Sequence, residues 1–257
     1  MNGERNGKGK EYDIIGKLEY EGEYKKGKRN GKGKEYFLGR LIFEGEYING
    51  NRWNGKVYDN KNNNIYELKN GTGYIKQYDN DGDLKFEGSF LKGERNGKIK
   101  EYIYGKLIKE QEYLNGKLNG KKKIYDIYYG KLIFEGEYIN DILLKGKKYN
   151  DDGLLKLEGE YLYGQKRKGK AYIKGKLEYE GEYLFDRKYN GKGYDENGNI
   201  IYELINGNGK VKEYDFERRL IFDGEYLNGK RWNGIFKIYD FDGTISEEEE
   251  YKNGEKI

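Results

Sequence analysis

The chain has 257 residues, with 50 Lys and Arg against 46 Asp and Glu, 40 Gly and 29 Tyr, and no His, Cys or Pro. The missing Cys and His exclude disulfides, a thiol nucleophile, Ser–His and Cys–His pairs and most zinc sites. A net charge of +4 with the two signs interleaved excludes the basic stripe of a nucleic-acid binder.

The N-terminal MNGERNGKGK lacks the apolar core of a signal peptide, and no window approaches the ~18 apolar residues of a transmembrane helix. A soluble, cytoplasmic protein is therefore expected. The chain opens on a turn, Asn2-Gly3, and an edge strand, Lys8–Tyr12. In KLEYEGEY (17–24), Leu18, Tyr20, Gly22 and Tyr24 alternate with charged residues, which is the period of a strand with two different faces. A Gly turn leads to a second strand, Asn30–Tyr36. FEGEYINGNRWNGK (43–56) repeats the pair with Phe43, Tyr47 and Trp53, and Asn49-Gly50 supplies the positive φ of a tight hairpin turn. A YEL variant follows at 65–71. FEGSFLKGERNGK (86–98) carries Phe86 and Phe90, and the next unit carries Tyr113, with Gln111 where Gly is expected. Phe134 and Tyr138, then Tyr161, then Tyr179 and Tyr183 continue the series. A second YEL variant at 201–207 precedes FDGEYLNGKRWNG (222–234), with Phe222, Tyr226 and Trp232. The last strand, Ser246–Tyr251, contains Glu247, Glu248, Glu249 and Glu250, with Glu249 in place of the expected Gly.

The residue ending each GEY-like segment recurs at eleven positions, from Tyr24 to Tyr251, spaced 21 to 25 residues apart. Over this lies a longer echo: Tyr47, Leu68 and Gly73 return 136 residues later as Tyr183, Leu204 and Gly209. Six units have been duplicated as a block. Strand, turn, strand, turn, with no room for a crossover helix, predicts an antiparallel meander. One face carries rings lying over cross-strand glycines, which have no Cβ to block them. The other carries Glu44 and Glu46 from first strands beside Lys32 and Lys34 from second strands, an alternation that fixes register.

YEGEYKKGKRNGKGKEY (20–36) resembles the MORN repeat (membrane occupation and recognition nexus), and GEYLNGKRWNG (224–234) resembles both it and its bacterial variant with NG turns. The likeness spans essentially the whole chain, as a single array over 1–257. Tyr stands at most positions where the family often has Trp, and the YEL units, Gln111 and Glu249 depart from the pattern, so the sheet is expected to bend or tighten there. The resemblance implies an elongated, twisted, single-layer β-sheet with a groove lined by aromatics, acting as a scaffold or adaptor for a helix or peptide. For some members it implies contact with anionic membranes, and for some bacterial arrays a toxin-neutralising or effector-associated role.

The expected fold is thus all-β: an elongated single-layer twisted antiparallel meander of about eleven hairpin repeats of ~23 residues. The expected function is non-enzymatic binding of a protein or peptide along an aromatic groove. Its candidate lining is Tyr20, Tyr24, Phe43, Tyr47, Trp53, Phe86, Phe90, Tyr113, Phe134, Tyr138, Tyr161, Tyr179, Tyr183, Phe222, Tyr226 and Trp232. Trp53 and Trp232 either anchor a partner or pack on the adjacent hairpin. No catalytic residue, cofactor, metal or nucleic acid is expected. Paired glutamates recur in nearly every unit and read as a solvated face, Asp79-Asn80-Asp81-Gly82-Asp83 reads as an inter-unit turn, and the Gly-x-Gly copies read as packing glycines. A membrane-surface role requires sign-segregated charge, which the interleaved glutamates oppose. A meander also leaves two edges: the N-terminal strand is expected to be open to pairing with a second copy, and the C-terminal strand to be guarded by its glutamates.

Overall fold

The computed structural model describes residues 4–59, 61, 63–79 and 81–257. The expected Asn2-Gly3 turn and Asn80 lie outside them. The protein is all-β, built of consecutive antiparallel hairpins in open sheets, and forms two compact units, 1–130 and 131–257.

In the first unit, β1 (Gly7–Tyr12), β2 (Leu18–Lys25), β3 (Lys28–Phe37), β4 (Arg40–Ile48), β5 (Asn51–Tyr58) and β6 (Asn64–Leu68) pair in chain order. So do β7 (Gly73–Tyr78), β8 (Leu84–Leu91), β9 (Glu94–Ile103), β10 (Lys106–Leu114) and β11 (Lys117–Tyr125). The second unit runs from β12 (Leu132–Ile139) through β13 (Ile142–Tyr149), β14 (Leu155–Leu162), β15 (Gln165–Ile173), β16 (Lys176–Leu184) and β17 (Arg187–Tyr194) to β18 (Ile200–Leu204). It continues as a sheet of β19 (Gly209–Tyr214), β20 (Leu220–Leu227), β21 (Lys230–Tyr239), β22 (Ile245–Lys252) and β23 (Glu255–Lys256).

The ladder is interrupted at both YEL variants. Between β6 and β7 the pairing shrinks to one bridge, Lys69–Thr72, and between β18 and β19 to Ile205–Asn208. In these units a tyrosine, Tyr66 or Tyr202, stands at the glycine position of GEY, and a leucine replaces the anchoring tyrosine. Leu68 of β6 and Ile75 of β7 then enter one core with Tyr47 and Phe86, so apolar packing bridges the gap that hydrogen bonds leave. Leu204 and Val211 do the same in the second unit, with Tyr183 and Phe222. At Gln111 and Glu249 the glycine positions keep their cross-strand partners. Gln111 stays opposite Ile99 and Lys122, and Glu249 opposite Phe236, because the buried polar ends find Tyr113 and Lys256.

Asn49 (φ 52) and Gly50 (φ 93), like Asn228 (φ 53) and Gly229 (φ 73), place both central residues in the left-handed region, as a type I′ hairpin turn requires. The longer connections close around an aspartate. Asp79 Oδ1 accepts from the Asp81 and Asp83 N–H groups at 3.1 and 2.9 Å, as Asp195 does from Asn197 and Asn199, so the calcium-like string is a turn.

A second, unanticipated ladder joins successive turns. The Gly50 N–H donates to Arg29 O at 2.8 Å, Gly71 to Trp53 O at 2.6 Å, Gly93 to Gly71 O at 2.8 Å and Gly116 to Arg95 O at 2.9 Å. The second unit repeats it from Gly207 to Tyr189 O, Gly229 to Gly207 O and Gly254 to Trp232 O. Beside it, the Asn of an RNG or WNG accepts a turn N–H from the next hairpin: Asn54 Oδ1 from Asn70 at 2.7 Å, Asn96 from Asn115 at 3.1 Å and Asn233 from Asn253 at 2.9 Å. The asparagine is a staple between repeats.

The C-terminal edge differs from expectation. β23 folds back onto the end of β22 through Tyr251–Lys256 and Lys252–Glu255, and Glu249 is buried against Lys256. That glutamate fills a core position and does not guard the edge.

Candidate partner-binding face

The glycine seam fixes where the rings go. Gly22 and Gly33 are cross-strand partners, and Tyr20 lies across both: a Cβ on Gly33 would come within 2.6 Å of Tyr20 Cζ. Phe43 covers Gly55, Tyr179 covers Gly191 and Phe222 covers Gly224 in the same way, at 2.7–2.8 Å from the Cβ that each glycine lacks. The ring four residues later meets the covering ring edge-on. Tyr20–Tyr24, Phe43–Tyr47 and Tyr179–Tyr183 have centroids 5.4, 5.3 and 5.5 Å apart, and Tyr20–Tyr47 joins successive hairpins at 5.2 Å. Each such pair contributes about 0.5–1.5 kcal/mol beyond burial.

This packing divides the candidate lining. Tyr20, Phe43, Tyr179 and Phe222 have 0% of their surface exposed, and Tyr24, Tyr47, Phe86 and Tyr183 are also buried. These eight are the core of the face, and Tyr20, Phe43, Tyr179 and Phe222, pressed against glycine, have no side left for a partner. Phe90, Tyr113, Phe134, Tyr138, Tyr161 and Tyr226 are half-buried. Trp53 and Trp232 pack on the next hairpin turn, their Cε3 atoms lying 2.9 and 3.1 Å from where Gly71 and Gly254 would carry a Cβ. In the first unit the face contains a cleft of ≈ 290 Å³ whose walls include Arg29, Glu35, Tyr47, Ile75, Phe90 and Arg95.

Charge on this face is organised in a way that sequence reading missed. Glu35 accepts from Arg52 Nε and from the Tyr47 hydroxyl, both at 2.9 Å, and Arg29 stands 3.7 Å away while its guanidinium covers the Tyr20 ring at 4.1 Å. Burial pushes the Glu35 carboxyl up, but Arg52, the Tyr47 hydroxyl and Arg29 outweigh it and hold the group below the ordinary 4.5. Glu213 repeats the motif with Arg231 and the Tyr226 hydroxyl, each bond at 2.8 Å. Glu11 pairs with Arg29, and Glu101 with Arg95. The signal was present: period two puts Glu35 on the face of Gly33, and Arg rather than Lys precedes the Asn or Trp at 29, 52, 95 and 231.

The opposite face follows the expected alternation. Lys34 meets Glu44 at 3.4 Å, Lys10 meets Glu21 at 3.2 Å and Lys170 meets Glu180 at 3.5 Å. A tyrosine from each following strand is added to it. The hydroxyls of Tyr36, Tyr149 and Tyr172 donate to Glu21, Glu135 and Glu158 at 2.7–2.8 Å. Burial, then the bonded carboxylate, pushes each of these phenols up to about 12. The glutamates here are therefore engaged in neutral-pH hydrogen bonds and ion pairs spread along the sheet.

No family model matches the chain, and no curated protein matches it. Among solved structures, the Tc holotoxin pore of Photorhabdus luminescens is similar over 97% of this chain at 12% identity with a TM-score of 0.20. A TcdB2–TccC3 structure is similar over 95% at 14% identity with a TM-score of 0.19. The chain spans 14% of the length of either. Likeness at those scores assigns neither fold nor function.

Proposed function

We propose that the chain is a non-enzymatic, cytoplasmic scaffold of the MORN-repeat kind that receives a helix or peptide on the aromatic face of its units. The observation that supports this reading most is the cleft in the first unit. It combines half-buried Phe90 with Arg95 and the Arg29–Glu35 pair, a mixture of apolar anchor and fixed polar groups suited to orienting a peptide. The opposite face alternates Lys and Glu at ion-pair distance, which gives an anionic membrane no patch of one sign.

The test is capture of binding partners by the immobilised full chain, cross-linked and identified by mass spectrometry, with Phe90→Ser and Lys34→Glu compared with wild type. A partner cross-linked to β7–β9 and lost with Phe90→Ser supports the reading. A partner that survives Phe90→Ser and is lost with Lys34→Glu, or anionic vesicles bound in its place, moves the site to the other face and overturns it.

A further inference from the structure

The block duplication supplies an internal standard. In the first unit, the carboxylate of Glu35 is held by Tyr47, Arg52 and Arg29. The register identifies the matching positions in the second unit. Ala171 pairs with Tyr179 as Glu35 does with Phe43. Lys188 pairs with Tyr183 as Arg52 does with Tyr47. Lys166 pairs with Tyr161 as Arg29 does with Tyr24, and Lys148 pairs with Leu157 as Glu11 does with Tyr20. Both carboxylates are gone, replaced by Ala171 and Lys148, while the three donors remain.

The consequences are visible in the second unit. Lys166 is buried, with 8% of its surface exposed, and its ammonium stands 3.3 Å from the centroid of the Tyr183 ring. Among the described residues it makes no ion pair or hydrogen bond. Its methylenes lie over Gly159, where Leu157 is too short to do what Tyr20 does: a Cβ on Gly159 would meet Lys166 Cδ at 3.2 Å. The Tyr183 hydroxyl, whose counterpart on Tyr47 donates to Glu35, is buried without a partner. Lys188 is already neutralised by Glu178 at 2.6 Å, and that carboxylate also accepts from the Tyr202 hydroxyl at 3.4 Å. Burial pushes the Lys166 ammonium down to about 8, with Lys188 and Lys148 adding to it and Asp186 and Glu178 opposing. A buried cation and a buried hydroxyl at the positions of Arg29 and Tyr47, with Ala171 at the position of Glu35, form a site suited to an added carboxylate.

We propose that the aromatic face of the second unit takes a carboxylate side chain of an acidic partner peptide at Ala171, held by the Tyr183 hydroxyl and the Lys166 ammonium as Tyr47 and the arginines hold Glu35. This deepens the scaffold reading and rests on it for the partner, but the pocket is testable without one.

The first arm uses stability. Ala171→Glu restores the missing carboxylate and should raise the Tm by roughly 3–6 °C over Ala171→Gln. The gain should vanish in a Lys166→Met background, where the methylenes over Gly159 remain and the ammonium is lost. A fall in Tm for Ala171→Glu, as for a buried unpaired carboxylate, overturns the pocket. The second arm titrates an acetylated and amidated hexaglutamate peptide, with hexaglutamine as control. Binding to the wild-type chain should weaken about tenfold in Lys166→Met, the size of one charge-assisted hydrogen bond, and disappear in Ala171→Glu. Equal binding to all three chains, no binding to wild type, or acetate binding as tightly per carboxylate as the peptide overturns the proposal. A captured partner indifferent to Lys166→Met sinks this inference alone, whereas hexaglutamate binding without any captured partner sinks the scaffold reading alone.

Discussion

At the scale of single residues, the glycines of the seam answer to two different neighbours. At Gly33 the missing Cβ would strike the Tyr20 ring, but at Gly45 it would strike backbone, coming within 2.6 Å of Gly55 Cα and closer still to Asn54 O. A ring can shift and a paired strand cannot. Gly45→Ala should therefore cost about 2–3 kcal/mol, while Glu46→Gln, on an exposed residue, should stay within ~0.5 kcal/mol; equal denaturation midpoints for the two would reverse this ranking. Glu35→Gln keeps the shape of its site and removes its charge. It leaves Arg52 and Arg29 short of their carboxylate and should cost about 2 kcal/mol by urea titration. The seam was legible because Tyr20, Gly22 and Tyr24 alternate cleanly with charges. Glu35 was not, since a glutamate in KEY suits solvent as well as it suits a buried arginine. Lys166 was hidden more deeply: its burial depends on Leu157, on a neighbouring strand, being too short to cover Gly159.

At the scale of elements, the hairpins are joined twice, once by the sheet ladder and once at their turns. The sequence marks the staple plainly, as the Asn in RNGK, GNRWNG and GKRWNG, but those residues read as turn formers because their partners lie in the next repeat. Asn54 accepts from the Asn70 N–H and donates to Glu46, both at short range, beside the place where the β-ladder lapses. Asn54→Ala should cost about 1 kcal/mol and speed hydrogen exchange at the Asn70 and Gly71 amides ahead of those in β4. Unchanged exchange there would leave the staple without energetic weight. The YEL units were legible as variants, but not as interruptions of the ladder. That outcome depends on Leu68 meeting Ile75 across the gap, a contact no local pattern announces.

At the scale of the whole molecule, the ionisable groups that stabilise the two faces set a pH window. Carboxyls of Glu11, Glu21, Glu35 and Glu87 sit below their ordinary 4.5, so the stability they contribute is present above that value and fades as acid protonates them in the folded state. Phenols of Tyr20, Tyr36, Tyr74, Tyr149 and Tyr172 are raised to about 12 from 10.0, chiefly by burial. Their contribution is complete below pH ~10 and is lost between there and about 12. Ultraviolet titration of the folded protein should show tyrosinate appearing late and together with loss of β-sheet circular dichroism. A smooth transition centred near 10 with the sheet intact would contradict it.

Within each unit strands bond to their neighbours in chain order except at the YEL variants, and several hairpin turns are tied to the hairpin before them. Pulled by its ends, such an arrangement loads its hydrogen bonds one at a time rather than in shear. The expected force trace is a low sawtooth, each tooth releasing about 23 residues, ~80 Å of contour, with the YEL positions giving way first because one bridge guards them. An array with that response yields by increments and recovers hairpin by hairpin.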